Sequence, residues 1–259
     1  MKELRLRRLF AQDQRSVIVA FDHASFMGNM PGLEDISQLL RTLTQTGVDS
    51  VITTVGVAKK YRKDFGQLGL ILRVDGGSTV RSPKSGELAI TVSVKDALRL
   101  GADAVICMGM IGFPEEPSTI RNLTALAAKA DHWNIPLVAE MLVKGEQKEP
   151  SVEEIGFAMR VGAELGADII KTSMALPVEQ FQQVLKTCYQ PVVILGGAKK
   201  DDEETLLTTV YQAVQIGAAG VAIGRNVWQH PNPAGMCRAL VSLVHGGATV
   251  AQALAEVKP

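Results

Sequence analysis

Apolar residues gather along this chain in short runs rich in β-branched side chains, and the runs recur at regular intervals. They fall at residues 16–21 (SVIVAF), 50–55 (SVITTV), 70–74 (LILRV), 104–108 (AVICM), 136–141 (PLVAEM), 168–172 (DIIKT), 191–195 (PVVIL) and 220–224 (GVAIG). Each has the length of a strand buried on both faces, as in a parallel sheet. Between most of them polar and apolar positions alternate with helical period: residues 33–47, 93–101, 119–133, 151–166 and 201–217 read as amphipathic helices. Gly47, Gly101, Gly166 and Gly217 stand where a helix closes in a left-handed residue. The phrase beginning at each repeats as GVDSV, GADAV, GADII and GAAGV.

Strand and helix thus alternate as one βα unit written several times, each helix returning to the next parallel strand. This is the arithmetic of a (β/α)8 TIM barrel. An open, doubly wound sheet is the alternative, but the even spacing of the runs fits closure better. With 259 residues and no Pro/Ser/Gly-rich linker, the chain reads as a single α/β barrel domain spanning residues 1–259, with residues 1–15 as an N-terminal capping segment. That segment, MKELRLRRLF at its start, is basic and amphipathic without the apolar core of a signal peptide. It caps the barrel floor or meets a neighbouring molecule.

Composition narrows the partners. Twenty-seven basic and twenty-seven acidic residues balance, so no global field points to nucleic acid or a membrane surface. No apolar run approaches the roughly 20 residues that span a bilayer. Cys107, Cys188 and Cys237 are scattered and odd in number, which fits a reducing cytoplasm rather than a disulfide framework. Histidine and cysteine show no metal-ligand spacing, so neither a metal nor another cofactor is expected.

In such a barrel, chemistry sits at the C-terminal strand ends. Two of these ends read as one device: GGAK after the seventh run and GRN after the eighth. Glycines allow close backbone approach, and successive N–H groups favour an anion. Gly196, Gly197, Lys199, Gly224 and Arg225 are therefore candidates for a substrate phosphate, against the plainer reading that the glycines only make tight turns. Lys171 ends the sixth run on the face of Ile169, opposite Ile170 and Thr172. An unperturbed lysine titrates near 10.4. Apolar walls and a nearby cationic site disfavour the ammonium and favour a nucleophilic amine, which converts a ketone to an iminium. A salt-bridged barrel lysine is the plain alternative.

The ordered set FDHA…GLED, GADIIK, GGAK and GRNVWQ, from about residue 16 to 233, resembles the DeoC/LacD-type class I aldolases. Within them it is similar to the branch of archaeal-type fructose-bisphosphate aldolases, with their ADTH synthase and autoinducer-2 phosphate thiolase relatives. The resemblance implies that Lys171 forms the Schiff base and that Asp22 assists proton transfer or holds the intermediate. It also assigns the phosphate to Gly196, Gly197, Lys199, Gly224 and Arg225. A homo-oligomer is implied as well. His23 follows Asp22, and strand alternation would turn the two to opposite faces; Asp22 is expected in the site, and His23 to brace a loop or make a lesser substrate contact. Where the branch reads MYPRG with a proton-transferring tyrosine, this chain reads MLVKG, with Leu142 at the tyrosine position. Glu140, two residues earlier on the same face, is expected to have a raised pKa and take over the proton work; its plain reading is a partner for Lys171. Lys144 replaces the motif arginine and is a candidate for an anionic substrate group. Arg73 and Asp75 pair with each other or touch substrate. The expected activity is C–C cleavage or formation in a small phosphorylated ketose with a dihydroxyacetone-phosphate type donor. The alternatives are a lysine-dependent thiolase or transaldol-type synthase on a phosphorylated diketone or deoxyketose, and a non-catalytic sugar-phosphate-binding barrel.

Overall fold

The computed structural model describes residues 1–82, 87–145, 149–199 and 202–258. Eight parallel strands close into a barrel: β1 (Ser16–Ala20), β2 (Ser50–Thr53), β3 (Gly69–Arg73), β4 (Ala104–Ile111), β5 (Leu137–Val143), β6 (Ile169–Thr172), β7 (Val192–Leu195) and β8 (Gly220–Ile223). Every strand pairs with its sequence neighbours, and β8 closes on β1 with Ser16 opposite Gly220. A Cβ at position 220 would fall 2.0 Å from the Ser16 carbonyl oxygen, so the seam requires glycine there.

Alternation along each strand sorts the side chains into two cores. Ile18, Ile52, Ile71, Ile106, Val138, Ile169 and Val193 fill the barrel interior. The opposite faces, such as Val17, Val51, Val105 and Ile170, pack outward against the helices. The floor is closed by α1 (Lys2–Leu9), whose Leu9 joins the interior cluster, with Leu6 and Phe10 packed against it.

The helices that follow are α2 (Ala24–Met27), α3 (Ile36–Thr44), α4 (Val55–Lys60), α5 (Val94–Arg99), α6 (Glu116–His132), α7 (Val152–Glu164), α8 (Val178–Leu185), α9 (Glu203–Gln215), α10 (Arg225–Trp228), α11 (Pro233–Val244) and α12 (Val250–Val257). Gly101, Gly166 and Gly217 adopt the expected positive φ directly after the caps of α5, α7 and α9, while Gly47 sits one residue further past α3. Asp201, where the sequence pattern starts the helix before Gly217, lies outside the described residues.

The repeated Gly-x-Asp phrase has a structural purpose. Asp49 accepts the backbone N–H of Val17 at 2.7 Å, Asp103 that of Leu70 at 2.9 Å, and Asp168 that of Leu137 at 2.8 Å. Each aspartate therefore satisfies the start of the preceding strand. Their remaining capacity holds the chain ends: Lys2 meets Asp168 at 3.0 Å, Arg8 meets Asp103 at 3.2 Å, and His245 meets Asp49 at 3.0 Å.

Candidate active site

At the opposite end of the barrel the strand ends are charged. Lys171 on β6 is 5% exposed and Glu140 on β5 is 7% exposed, side by side in register. The Lys171 ammonium donates to Glu140 Oε1 at 2.5 Å. Arg73, at the end of β3, donates through Nη2 to Glu140 Oε2, through Nε to Asp22 Oδ2 at 2.7 Å, and through Nη1 to Asp75 Oδ1 at 3.2 Å. Asp75 also accepts the Met108 backbone N–H at 2.9 Å. Two cations and three carboxylates thus share one buried knot. Such a knot is tolerable because each charge is paired and hydrogen-bonded.

The electrostatics correct one expectation. Burial pushes the Glu140 carboxyl up, but the Lys171 ammonium and the Arg73 guanidinium outweigh it and hold the group at about 2. Glu140 is therefore a fixed carboxylate rather than an acid poised by a raised pKa. The same carboxylates, led by Glu140, outweigh the desolvation of Arg73 and hold its guanidinium charged.

His23 corrects a second expectation. Strand β1 ends at Ala20, and His23 already has helical backbone angles as the cap of α2. Strand alternation therefore does not apply, and both Asp22 and His23 reach the site. The His23 Nδ1 lies 3.6 Å from Asp22 Oδ1, buried and without a hydrogen-bond partner. Its ring packs edge-on against Trp228, with centroids 5.7 Å apart. Burial, first, and then Lys171 and Arg225 push the imidazole below its ordinary value, against the opposing pull of Asp22 and Glu140.

These groups open onto a cavity of about 750 Å³ whose wall includes His23, Arg73, Glu140 and Lys171. Gly196, Gly197, Gly224 and Arg225 line it from the β7 and β8 loops. The Arg225 Nε is buried without a partner. Asn226 ties the two loops together, donating to the carbonyls of Gly196 at 3.2 Å and Ala198 at 3.1 Å. Gly197 takes a left-handed φ of +67° with open space beside it. Gly224 is required for a different reason: a Cβ there would fall 2.4 Å from the Ala20 carbonyl oxygen. Lys199 and Lys144 are exposed and do not contribute to the cavity wall. Leu142 does, beside Val55, Val80, Val92 and Met110, which form an apolar strip of wall next to the charged knot.

The sequence pattern singled out most of this ring but not its hub. Arg73 was legible as a charged residue ending a strand, yet nothing in the spacing said that it would gather three carboxylates. Asn226 and Trp228 stand inside the quoted GRNVWQ without an assigned task. The structure gives them one: Asn226 braces the β7 and β8 loops, and Trp228 donates to the Ala20 carbonyl at 2.9 Å. Among the described residues, no group of three or more His, Cys, Asp and Glu side chains could hold a metal ion.

Comparison with known proteins gives the arrangement its context. Residues 16–230 match the DeoC/LacD family aldolases. A 2-amino-3,7-dideoxy-D-threo-hept-6-ulosonate synthase of Halobacterium salinarum is 36% identical over 98% of this chain and 96% of its own length. A class 1 fructose-bisphosphate aldolase of Thermoproteus tenax is 34% identical over 95% of this chain and 96% of its own. An archaeal fructose-1,6-bisphosphate aldolase, solved with its catalytic lysine covalently bound to the carbinolamine intermediate of its substrate, superposes with a TM-score of 0.85. It is 30% identical and the match covers 94% of this chain and 99% of that one. Fold, buried lysine and relatives together define a class I, Schiff-base aldolase, a lyase built on a TIM barrel. The chain belongs to the DeoC/LacD aldolase family.

Proposed function

We propose that this enzyme cleaves or forms a C–C bond in a small phosphorylated ketose, retaining a fragment of the dihydroxyacetone-phosphate type. The observation that carries the reading is Lys171 Nζ at a strand end in the cavity, held 2.5 Å from a fixed carboxylate. The phosphate docks on the loops of Gly196, Gly197, Gly224 and Arg225, where the unpartnered Arg225 Nε offers a donor; Lys199 and Lys144 serve as outer contacts for anionic groups. As substrate enters, the Lys171 ammonium gives up its proton to solvent in the open cavity; the amine then adds to the ketone carbon, and the carbinolamine takes up a proton and loses water to give an iminium. The electron pair of the adjacent C–C bond then flows into that iminium, releasing an aldehyde and leaving an enamine. Glu140 orients Lys171 and neutralises the cationic intermediate, while Asp22, anchored by Arg73, assists proton transfer from behind the cavity wall.

Leu142 and its apolar neighbours favour a second reading. An uncharged or acyl fragment would sit well against that wall, as in a transaldol-type synthase or a thiolase acting on a phosphorylated deoxyketose or diketone through the same lysine. A coupled assay over phosphorylated ketoses, diketones and deoxyketoses, with and without coenzyme A, separates these. Aldehyde release without a thiol supports the aldolase; turnover only with the thiol replaces it with acyl transfer. Binding that raises the melting temperature without consumption would leave a sugar-phosphate-binding barrel. Balanced charge and free, scattered cysteines support a cytoplasmic protein that binds neither nucleic acid nor membrane, and the family resemblance supports a homo-oligomer.

A further inference from the structure

Aldol cleavage needs a group that takes the proton of the hydroxyl beyond the breaking bond and returns it to the enamine carbon. The carboxylates of the knot are committed. Both Glu140 oxygens are held by Lys171 and Arg73. Both Asp75 oxygens are held by Arg73 and the Met108 N–H. Asp22 gives one oxygen to Arg73 and turns the other toward His23. No tyrosine stands among the described residues of the cavity wall, and Leu142 cannot exchange a proton.

His23 differs from all of these. Its ring lines the cavity, Nδ1 has no hydrogen-bond partner, and Asp22 Oδ1 lies 3.6 Å away. Trp228 packs against the ring edge-on and Phe26 lies tilted beside it, with centroids 5.7 and 5.9 Å away. We infer that His23 is the catalytic acid/base of the C–C step, oriented by Asp22 as an aspartate–histidine pair. This rests on the Schiff-base reading above and adds the proton carrier to it.

With Nδ1 turned toward Asp22, Nε2 is the nitrogen left for substrate. As the C–C bond breaks, the substrate hydroxyl O–H bond breaks with it and the proton passes to His23. The electron pair enters the iminium, the aldehyde departs, and the imidazolium returns its proton to the enamine carbon. Asp22, Glu140 on β5, Lys171 on β6 and Arg225 on α10 are the charged groups that face the ring. Burial together with the two cations keeps the imidazole in its neutral, proton-accepting form at neutral pH.

The test compares wild type with His23→Gln and His23→Gly. Each is incubated with dihydroxyacetone phosphate and borohydride, and each is assayed for aldol cleavage over a pH series with and without added imidazole. The inference predicts that both variants still trap the adduct on Lys171. It predicts that cleavage falls about 10²–10³-fold, that the acidic limb of the wild-type kcat profile disappears, and that imidazole restores part of the rate in His23→Gly. His23→Gln cleaving within threefold of wild type would overturn it. So would parallel loss of trapping and cleavage with no rescue, which would assign His23 a structural task. Failure of wild type itself to trap any phosphorylated ketone would instead sink the Schiff-base reading beneath it.

Discussion

The two ends of this barrel use the same residue type for opposite ends. At the floor, Asp49, Asp103 and Asp168 each accept a backbone N–H from the preceding strand and take a cationic side chain from near a chain terminus. They are dispersed, one per strand pair, and each serves its own neighbours. At the top, Asp22, Asp75 and Glu140 converge on one guanidinium, and Glu140 shares itself with a lysine inside a cavity. Between the two ends lie the aliphatic layers from Ile18 to Val193. A carboxylate that completes a strand is architecture. Carboxylates gathered around cations that face an open cavity hold charge where chemistry needs it, at a cost in desolvation that packing alone would not repay.

Substitutions break this contrast most sharply at Lys171. Lys171→Ala should remove turnover by at least about 10⁴-fold while the melting temperature stays close to wild type, because Glu140 keeps its Arg73 partner; steady-state rates and a thermal melt check both. Arg73→Met should cost activity and stability at once, through the top of the barrel alone. It removes the shared cation of three buried carboxylates, leaving Asp22 without a hydrogen-bonded cation and Glu140 with Lys171 alone, and urea unfolding should show a loss of about 3–5 kcal/mol. Paired removal of one charge at each end sharpens the comparison. Glu140→Gln should lower kcat by about 10²-fold, whereas Asp168→Asn should leave kcat alone and lower stability by about 1 kcal/mol.

The pH dependence of stability should divide in the same way. The Glu140 carboxyl is held at about 2, below its ordinary range. Its contribution is therefore present above the ordinary carboxylate range and is lost only as pH falls through about 2. His245 at the floor is raised by its hydrogen bond to Asp49, against burial, with Asp13 adding to the rise. Its contribution is full below the ordinary histidine value and is lost as pH rises through the raised one. Denaturant titrations of wild type and His245→Gln should converge above neutrality and separate slightly below it.

Much of the fold was legible because parallel strands buried on both faces announce themselves as apolar runs. Lys171 was legible because a cation ending such a run is conspicuous. The boundaries moved where tertiary pairing overrode composition. Strand β4 extends beyond the apolar run at 104–108 to Ile111 because Gly109, Met110 and Ile111 continue the ladder with Met141, Leu142 and Val143. Conversely β2 ends at Thr53, since the Thr54 side chain caps α4. The site was harder because its meaning lies in convergence. Arg73 is 51 residues from Asp22 and 67 from Glu140, and no local pattern encodes their meeting. His23 departs from strand alternation for a local reason: β1 ends at Ala20, and His23 is already the cap of α2.

The central claim is that Lys171 forms the Schiff base. Incubation with dihydroxyacetone phosphate and related phosphorylated ketones, reduction with borohydride and peptide mapping by mass spectrometry test it most directly. The account predicts a covalent adduct of the substrate's mass on Lys171 and none in Lys171→Ala. An adduct on a different lysine, or turnover of a phosphorylated ketone with Lys171 unmodified, would contradict it.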